Sequence, residues 1–484
     1  MISNITIKDA LKLGQLHGKA IVDADFSIWQ TSEITGFNID SRQIKKGELF
    51  FALRGEHVDG HDYLFAAKEK GATAAVVEKV QDVDMPQLCV DQVEKSLGDF
   101  AAFVRRQFSG VVVGVTGSSG KTTIKNMLAG LLRQAGKVYA TKGNFNNELG
   151  VPLSIASIED DVKFAVIEMG AAQIGDIAYL GKIAKPQTAL VSNVGHAHVG
   201  RFGGIENTAK AKGEIYQGLS SADTAVINLD DQFSEFWISS IKAKKNSPRI
   251  ISFSRSKQHA DVYLRSNSER NEIEVCVRRN IAAQSQVSFK VGGILPGSHN
   301  VENALAAISV AVAAGLSDLQ IQQGFASGFD LDPGRLSLFE GFCGFDLIDD
   351  SYNANPESIG AAIDYLVGRA KEKQQRAVLV LGDMAELGAQ SANHHFKVGE
   401  YAAINQIDEL YCCGKNSGDY AAGFSQAASK KQSYWVADSQ AVLIEKLRDV
   451  LDVASVVLVK GSRSAAMENV VAALKSSDLE VAPC

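Results

Sequence analysis

Cysteine is scarce in this chain of 484 residues. The six present (Cys89, Cys276, Cys343, Cys412, Cys413 and Cys484) are scattered, with no CxxC pair, and are expected to be reduced, as in a cytosolic protein. No run of about 18 uncharged apolar residues occurs, so no membrane-spanning helix is expected. Lys8 and Asp9 come early and no apolar stretch there is long enough for a signal peptide, which makes the cytoplasm the expected compartment. Excess positive charge is also missing. With 49 Lys and Arg against 56 Asp and Glu, the net charge is −7, which argues against a nucleic acid or an anionic membrane as the main partner. Local basic pockets for small anions survive such a total. There is no internal repeat and no low-complexity linker.

What is present is an ordinary globular composition, 45% hydrophobic and 22% charged, in a chain too long for one core. Its most informative run is Val113-Gly114-Val115-Thr116-Gly117-Ser118-Ser119-Gly120-Lys121-Thr122-Thr123. A β-branched stretch from Val111 to Val115 ends in small residues, and an amphipathic stretch follows to about Ala135. That is strand, glycine-rich loop, helix. Glycines let backbone N–H groups turn in around phosphate oxygens, and the helix N-terminus adds partial positive charge there. Lys121 would reach the terminal phosphates and the Thr122 hydroxyl would hold Mg²⁺, with Gly117, Ser118, Ser119, Gly120 and Thr123 completing the cradle. The general phosphate-loop spelling wants glycine where this chain has Val115, so the fit is to a tighter variant. A nucleoside triphosphate is the expected ligand.

Three blocks emerge. Residues 1–85 carry short strands (Gly47 to Leu53, Ala74 to Val77) around a helix from about Tyr63 to Lys70. Residues 86–328 begin with a helix (Val93 to Phe108), pass through the phosphate loop and continue with buried strands at Phe164 to Met169, Thr188 to Asn193 and Thr224 to Asn228. Near-continuous apolar strands separated by helices predict a parallel sheet covered on both faces. Alternation over 250 to 295 (Ile273, Val275 and Val277 between Glu272, Glu274 and Arg278) predicts an antiparallel addition with one wet face. From residue 329 to 484 the pattern restarts with strands at Phe345 to Ile348, Ala377 to Leu381, Glu409 to Cys412 and Ser455 to Val459. The expected class is α/β in three domains: a small mixed N-terminal one, a central phosphate-loop ATPase-type parallel sheet flanked by helices, and a Rossmann-like C-terminal one. Asp332-Pro333-Gly334 is the expected hinge.

Other constellations have two readings each. Glu168 ends a buried strand in the loop's own sheet, where Mg²⁺ is usually held, although a strand-end acid facing water reads alike. Asn193-Val194-Gly195-His196-Ala197-His198 follows the next strand. Either histidine suits a metal or a nucleophile, or is a satisfied polar residue. Lys210 and Lys212 lie on a helical stretch whose bland reading is a solvated basic face. Asn300 and Asn303 share one helical face after the turn at Pro296-Gly297 and suit an adenine edge, while capping by Ser298 or Asn300 competes.

Together the motifs resemble the Mur ligase family. Those that match are Asp40-Ser41-Arg42, Gly47 to Leu53 and Asp59-Gly60-His61; Thr116 to Thr123; and Gly143-Asn144-Phe145-Asn146-Asn147-Glu148-Leu149-Gly150-Val151-Pro152. To these add Glu168, His198, Lys212 and His299-Asn300; Pro333-Gly334-Arg335; Asp349-Asp350-Ser351-Tyr352-Asn353-Ala354-Asn355-Pro356; Leu381 to Gly388; and Lys460-Gly461-Ser462-Arg463-Ser464. The loop, Glu, His and Lys are shared with folylpolyglutamate synthases. The Asn-x-Asn-Asn, Ser-Tyr-Asn-Ala-Asn-Pro and Lys-Gly-Ser-Arg-Ser runs are narrower, and point to members that add D-alanyl-D-alanine to a UDP-N-acetylmuramoyl-tripeptide.

The resemblance implies ATP-driven amide formation through an acyl phosphate. It assigns Lys121 to the phosphates, and Thr122, Glu168 and His198 to Mg²⁺. Lys212 becomes a carbamylation candidate able to bind a second Mg²⁺, with a plain lysine on phosphate as the other reading. Asn300, Asn303, Arg335 and Asp350 would serve ATP, Asn303 at adenine and Asp350 at ribose. Ser41, Arg42 and His61 would hold the UDP-sugar, and Asn144, Asn146 and Asn147 the muramoyl substrate. Tyr352, Asn355, Lys460 and Arg463 would face the dipeptide, Lys460 and Arg463 having a structural ion pair as their other reading. A monomer is expected. A folylpolyglutamate synthase would lack the block of about 110 residues before the loop. A nucleotide switch would need no second α/β unit carrying Arg335, Asp350 and Lys460.

Overall fold

The computed structural model describes residues 6, 18–22, 33–55, 58–195, 202–267, 272–280, 285–294, 297–330 and 332–475. Three sheets follow one another along the chain. The first contains β1 (Gly18–Val22), β2 (Gly36–Asn38), β3 (Glu48–Phe51), β4 (Ala74–Val77) and β5 (Gln87–Val90) in the order β1-β5-β4-β3-β2, parallel except for β1 against β5. Its last strand lies beyond residue 85, because Gln87 to Cys89 pair with Ala75 to Val77.

The second sheet contains β6 (Val111–Thr116), β7 (Val138–Ala140), β8 (Phe164–Glu168), β9 (Thr188–Val191), β10 (Thr224–Asn228), β11 (Arg249–Ser254), β12 (Val262–Asn267), β13 (Ile273–Asn280) and β14 (Ser285–Val291). Their order is β14-β13-β12-β11-β10-β9-β6-β8-β7. Pairing is parallel from β7 to β12 and antiparallel for β12-β13-β14, the addition that the alternating pattern predicts. The loop strand β6 is buried along nearly its whole length, as a central strand covered on both faces must be. Helix Val93–Gln107 joins the first two sheets. Its Phe100 meets Phe37 edge-on at 5.1 Å, and the same helix packs against helices Gly150–Ala156 and Asp176–Ala184.

The third sheet contains β15 (Ser337–Glu340), β16 (Asp346–Asp350), β17 (Arg376–Gly382), β18 (Glu409–Cys413), β19 (Ser433–Ala437) and β20 (Ser455–Lys460) in the order β15-β16-β20-β17-β18-β19, with only β15 antiparallel. Two of its helices, Ser391–Ile404 and Ser417–Ala427, approach backbone to backbone. A Cβ on Gly399 would lie 2.0 Å from the Tyr420 carbonyl oxygen, and one on Gly423 would lie 1.9 Å from that of Phe396. Among the described cysteines Cys89, Cys276, Cys412 and Cys413 are free thiols, whereas Cys343 is disulfide-bonded, against the expectation of six reduced residues. No helix among the described residues is long and apolar enough to cross a membrane.

The segment expected to be a hinge is clasped to the helix that follows the phosphate loop, Lys121–Leu132. Lys125, almost wholly buried, donates to the Thr141 carbonyl at 2.8 Å and to Asp332 at 3.1 Å; about two turns along, at the helix C-cap, Arg133 pairs with Asp330 at 3.0 Å.

Candidate active site

β6 ends at Thr116, and the loop helix starts at Lys121. Gly117 (φ +149°) and Gly120 (φ +78°) lie in left-handed backbone regions that glycine adopts freely. Space demands them too: a Cβ on Gly117 would meet the Ser192 hydroxyl at 1.8 Å, and one on Gly120 the Asn303 side-chain amide oxygen at 2.4 Å. Lys121 folds back over the loop and donates to the Gly117 carbonyl at 2.9 Å. Burial holds its pKa below the usual lysine range, with Glu168 opposing and Arg335 assisting. An incoming phosphate would favour its charged form.

Glu168 closes β8 and is 2% exposed. One oxygen accepts from the Thr122 hydroxyl at 2.9 Å, the other from the Asn146 amide at 2.8 Å. The Thr122 hydroxyl also accepts from Arg335 at 2.9 Å, so an arginine 213 residues further along reaches the loop helix directly. The Arg335 guanidinium lies 4.3 Å from the Tyr352 ring, and its Nε is buried without a hydrogen-bond partner. A buried carboxylate, a hydroxyl and a phosphate-binding loop form a set of hard oxygen donors that fits Mg²⁺, which keeps water and phosphate oxygens in its shell.

Lys212 is 2% exposed, so the reading of a solvated face fails for it; Lys210, two residues away, is the exposed one. Burial, and then the charge of Lys121, pull its pKa to about 7. His198 lies outside the described residues. The helix Ser298–Ala313 is capped by Gly297 with no side-chain cap bond, so capping does not explain Asn300 and Asn303. Instead Asn303 donates to Asn300 at 3.3 Å, and both are buried.

From the third sheet, Lys460 at the end of β20 donates to the Asp350 carboxylate at 2.5 Å and to the Asn353 carbonyl at 2.9 Å. Burial raises the Asp350 pKa and Lys460 opposes the rise. The same lysine, after burial itself, helps to hold His299 down at about 4. Arg463 pairs with Glu468 at 3.0 Å and keeps most of its side chain exposed. Asn355 caps helix Pro356–Lys373, accepting from the Ser358 N–H at 2.8 Å.

All these groups converge on one cleft of about 600 Å³. Ser118 to Thr123, Asn144, Asn146, Asn147, Glu168, Lys212, Asn300 and Asn303 line it from the second sheet's side. Arg335, Asp350, Tyr352, Asn355, Lys460 and Arg463 line it from the third. Ser41, Arg42 and His61 do not line it. Arg42 is exposed and pairs with Asp40 at 2.8 Å. His61 is buried with both ring nitrogens engaged: Nδ1 meets Asp59 at 2.6 Å, and Nε2 accepts from the Glu78 N–H at 3.0 Å. It therefore holds its own loop and has no ring nitrogen left for a sugar nucleotide. Asn193, which lines the cleft, heads the run noted after the Thr188 strand but was given no role there; its place after a buried strand beside the loop strand was the available signal.

Such a cleft can bring a triphosphate, a carboxylate and an amine together, with cations from two sheets around the phosphates. Residues 33–105 match the model described as "Mur ligase family, catalytic domain", 115–311 the Mur ligase middle domain, and 334–463 the Mur ligase, glutamate ligase domain. Over 445 residues the chain is 38% identical to the UDP-N-acetylmuramoyl-tripeptide–D-alanyl-D-alanine ligase of Escherichia coli (strain K12), covering 90% of this chain and 93% of that one. The chain belongs to the Mur ligase family.

Solved Mur ligases share its architecture. MurF from Acinetobacter baumannii superposes with a TM-score of 0.81 at 30% identity, over 98% of this chain and 99% of that one. The MurF ligase from Thermotoga maritima, solved in complex with ADP, superposes with a TM-score of 0.74 at 30% identity, over 90% and 96%. This Mur ligase thus has the three-part α/β build expected from its sequence.

Proposed function

We infer that the chain is an ATP-dependent ligase. It joins D-alanyl-D-alanine to the terminal carboxylate of UDP-N-acetylmuramoyl-tripeptide in peptidoglycan precursor synthesis, releasing ADP and Pi. The observation that carries this reading is the 38% identity across 90% of the chain to an enzyme of that name, joined to a cleft built for a triphosphate. A carboxylate is a poor acyl donor because oxide would have to leave. Attack on the terminal phosphorus of ATP converts it to an acyl phosphate, and the dipeptide amine then displaces phosphate.

Two anions must meet in the first step, so neutralisation is the protein's main task. Lys121 and Arg335 supply charge from opposite walls. Thr122 and Glu168 would hold Mg²⁺, His198 would join them, and Asn146 keeps the Glu168 carboxylate aimed. When bound, Mg²⁺ neutralises developing charge on the phosphate oxygens. Lys212, near neutrality, suits carbamylation by CO₂. Asn300, Asn303 and Asp350 would serve the nucleotide, with Lys460 fixing Asp350.

Asn144, Asn146 and Asn147 would meet the muramoyl substrate, and Ser41 and Arg42 the UDP end, without His61. Tyr352, Asn355 and Arg463 would face the dipeptide. The three sheets would be the sugar-nucleotide, ATP and dipeptide domains. We place the enzyme in the cytoplasm as a monomer, where its nucleotide substrates are made. Phosphate release from Mg-ATP with the tripeptide nucleotide, with and without D-Ala-D-Ala, tests the function. Release requiring both, with a pentapeptide product, is expected; release with a different amine would overturn the acceptor.

A further inference from the structure

Strand β9 lies directly beside the loop strand β6, on the side opposite Glu168, and the two residues after its apolar core are zipped to the phosphate loop. The Ser192 N–H donates to the Thr116 carbonyl at 2.9 Å and the Ser118 N–H to the Asn193 carbonyl at 3.0 Å. The Ser192 hydroxyl donates to the Ser119 carbonyl at 2.6 Å. The Asn193 side chain then receives two donors on one atom: the Ser119 N–H at 3.0 Å and the Ser119 hydroxyl at 3.1 Å, both to Oδ1.

These bonds fix which way the amide faces. A backbone N–H can only donate, so the atom opposite Ser119 is the oxygen and not the nitrogen. The Asn193 –NH₂ therefore points away from the loop backbone. It makes no hydrogen bond to any described residue, and Asn193 lines the cleft. Two further bonds hold the strand end in place: Asn228 donates to the Ser192 carbonyl at 3.1 Å, and the Val194 N–H donates to Asp231 at 2.7 Å. A preset, unused donor beside a phosphate loop costs no reorganisation when an anion arrives.

We propose that Asn193 is a catalytic residue that donates from its fixed –NH₂ to the terminal phosphoryl group of ATP as it passes to the substrate carboxylate. Ser119 sets its direction. The assignment rests on the reading of the cleft as a triphosphate site and is independent of which amine is the acceptor.

Asn193→Asp separates this role from simple bracing. The aspartate keeps an oxygen for Ser119 and replaces the donor with an acceptor; Asn193→Ala removes both. Binding of ADP and of a β,γ-imido analogue of ATP is measured by calorimetry on the full chain with Mg²⁺, without the other substrates, alongside thermal melts and turnover. Wild type should bind both nucleotides. Asn193→Asp should melt like wild type, bind ADP within about twofold, bind the imido analogue at least about tenfold more weakly, and lose about 10²-fold in kcat. Near-normal binding and turnover in Asn193→Asp, with losses confined to Asn193→Ala, would reduce Asn193 to a brace and overturn the proposal. Equal weakening of ADP and the imido analogue would overturn it as well, since the contact would not be to the terminal phosphate. A wild-type chain that binds neither nucleotide would remove the triphosphate site itself.

Discussion

The guanidinium of Arg335 donates to the Thr122 hydroxyl at 2.9 Å, although the two residues are 213 apart in the chain. The hydroxyl passes its own hydrogen to Glu168, so an arginine, a loop threonine and a buried carboxylate form one chain. Arg335→Ala is expected to lower kcat by about 10²- to 10³-fold, because a cation aimed at developing phosphate charge is lost. Arg335→Lys should rescue little, since an ammonium lacks the planar fork and stacks poorly on Tyr352. Steady-state kinetics beside thermal melts check both; a kcat within about threefold of wild type for the alanine variant would remove Arg335 from the chemistry.

Lys212 gives a pH dependence with a definite sign. Its folded-state pKa is depressed to about 7, so the amine is free above that value and protonated below it. Only the free amine adds to CO₂. With ¹³C-bicarbonate a carbamate signal is expected at about pH 8, lost by about pH 6 and absent from Lys212→Ala. That variant should be nearly inactive and partly restored by short carboxylic acids. A persistent signal in the variant would assign the carbamate elsewhere.

Lys460 and Asp350 are a buried pair, their side chains 4% and 14% exposed. Removing one partner strands the other, and Lys460→Ala should cost about 3–5 kcal/mol of stability. Lys460→Met combined with Asp350→Asn should recover much of that loss while leaving turnover impaired. Denaturant melts of the two variants decide it; a Lys460→Ala variant as stable as wild type would make the pair dispensable.

The close helix pair of the third sheet gives a test away from the cleft. Gly423→Ala places a methyl group 1.9 Å from the Phe396 carbonyl oxygen, so the helices must separate. Overpacking of this kind costs about 1–3 kcal/mol. The melting temperature should fall while KM for ATP at low temperature stays unchanged. An unshifted melt would mean the pair can slide freely.

Local signals carried much of the architecture. The phosphate loop was legible because the strand, the glycines and the helix start are consecutive, and Glu168 because it ends an apolar run. The antiparallel addition was legible from alternation, and β12, β13 and β14 form it. What escaped was pairing over distance. No spacing rule joins Lys460 to Asp350, 110 residues apart, or turns the Asn193 amide toward Ser119 across 74. The first sheet's β5 escaped for the same reason, since only its pairing with β4 assigns it there. The bonds of His61 to Asp59 and to the Glu78 N–H escaped too, because a histidine in a matching motif says nothing about which of its nitrogens its own fold already uses.

Asp330, Asp332 and Arg335 fall within six positions, and each grips the helix that springs from the phosphate loop. Any movement of the third sheet away from the loop therefore has to break or carry the Lys125–Asp332 and Thr122–Arg335 contacts. The far lobe and the start of the loop helix are thus registered against each other by the same few side chains that face the cleft.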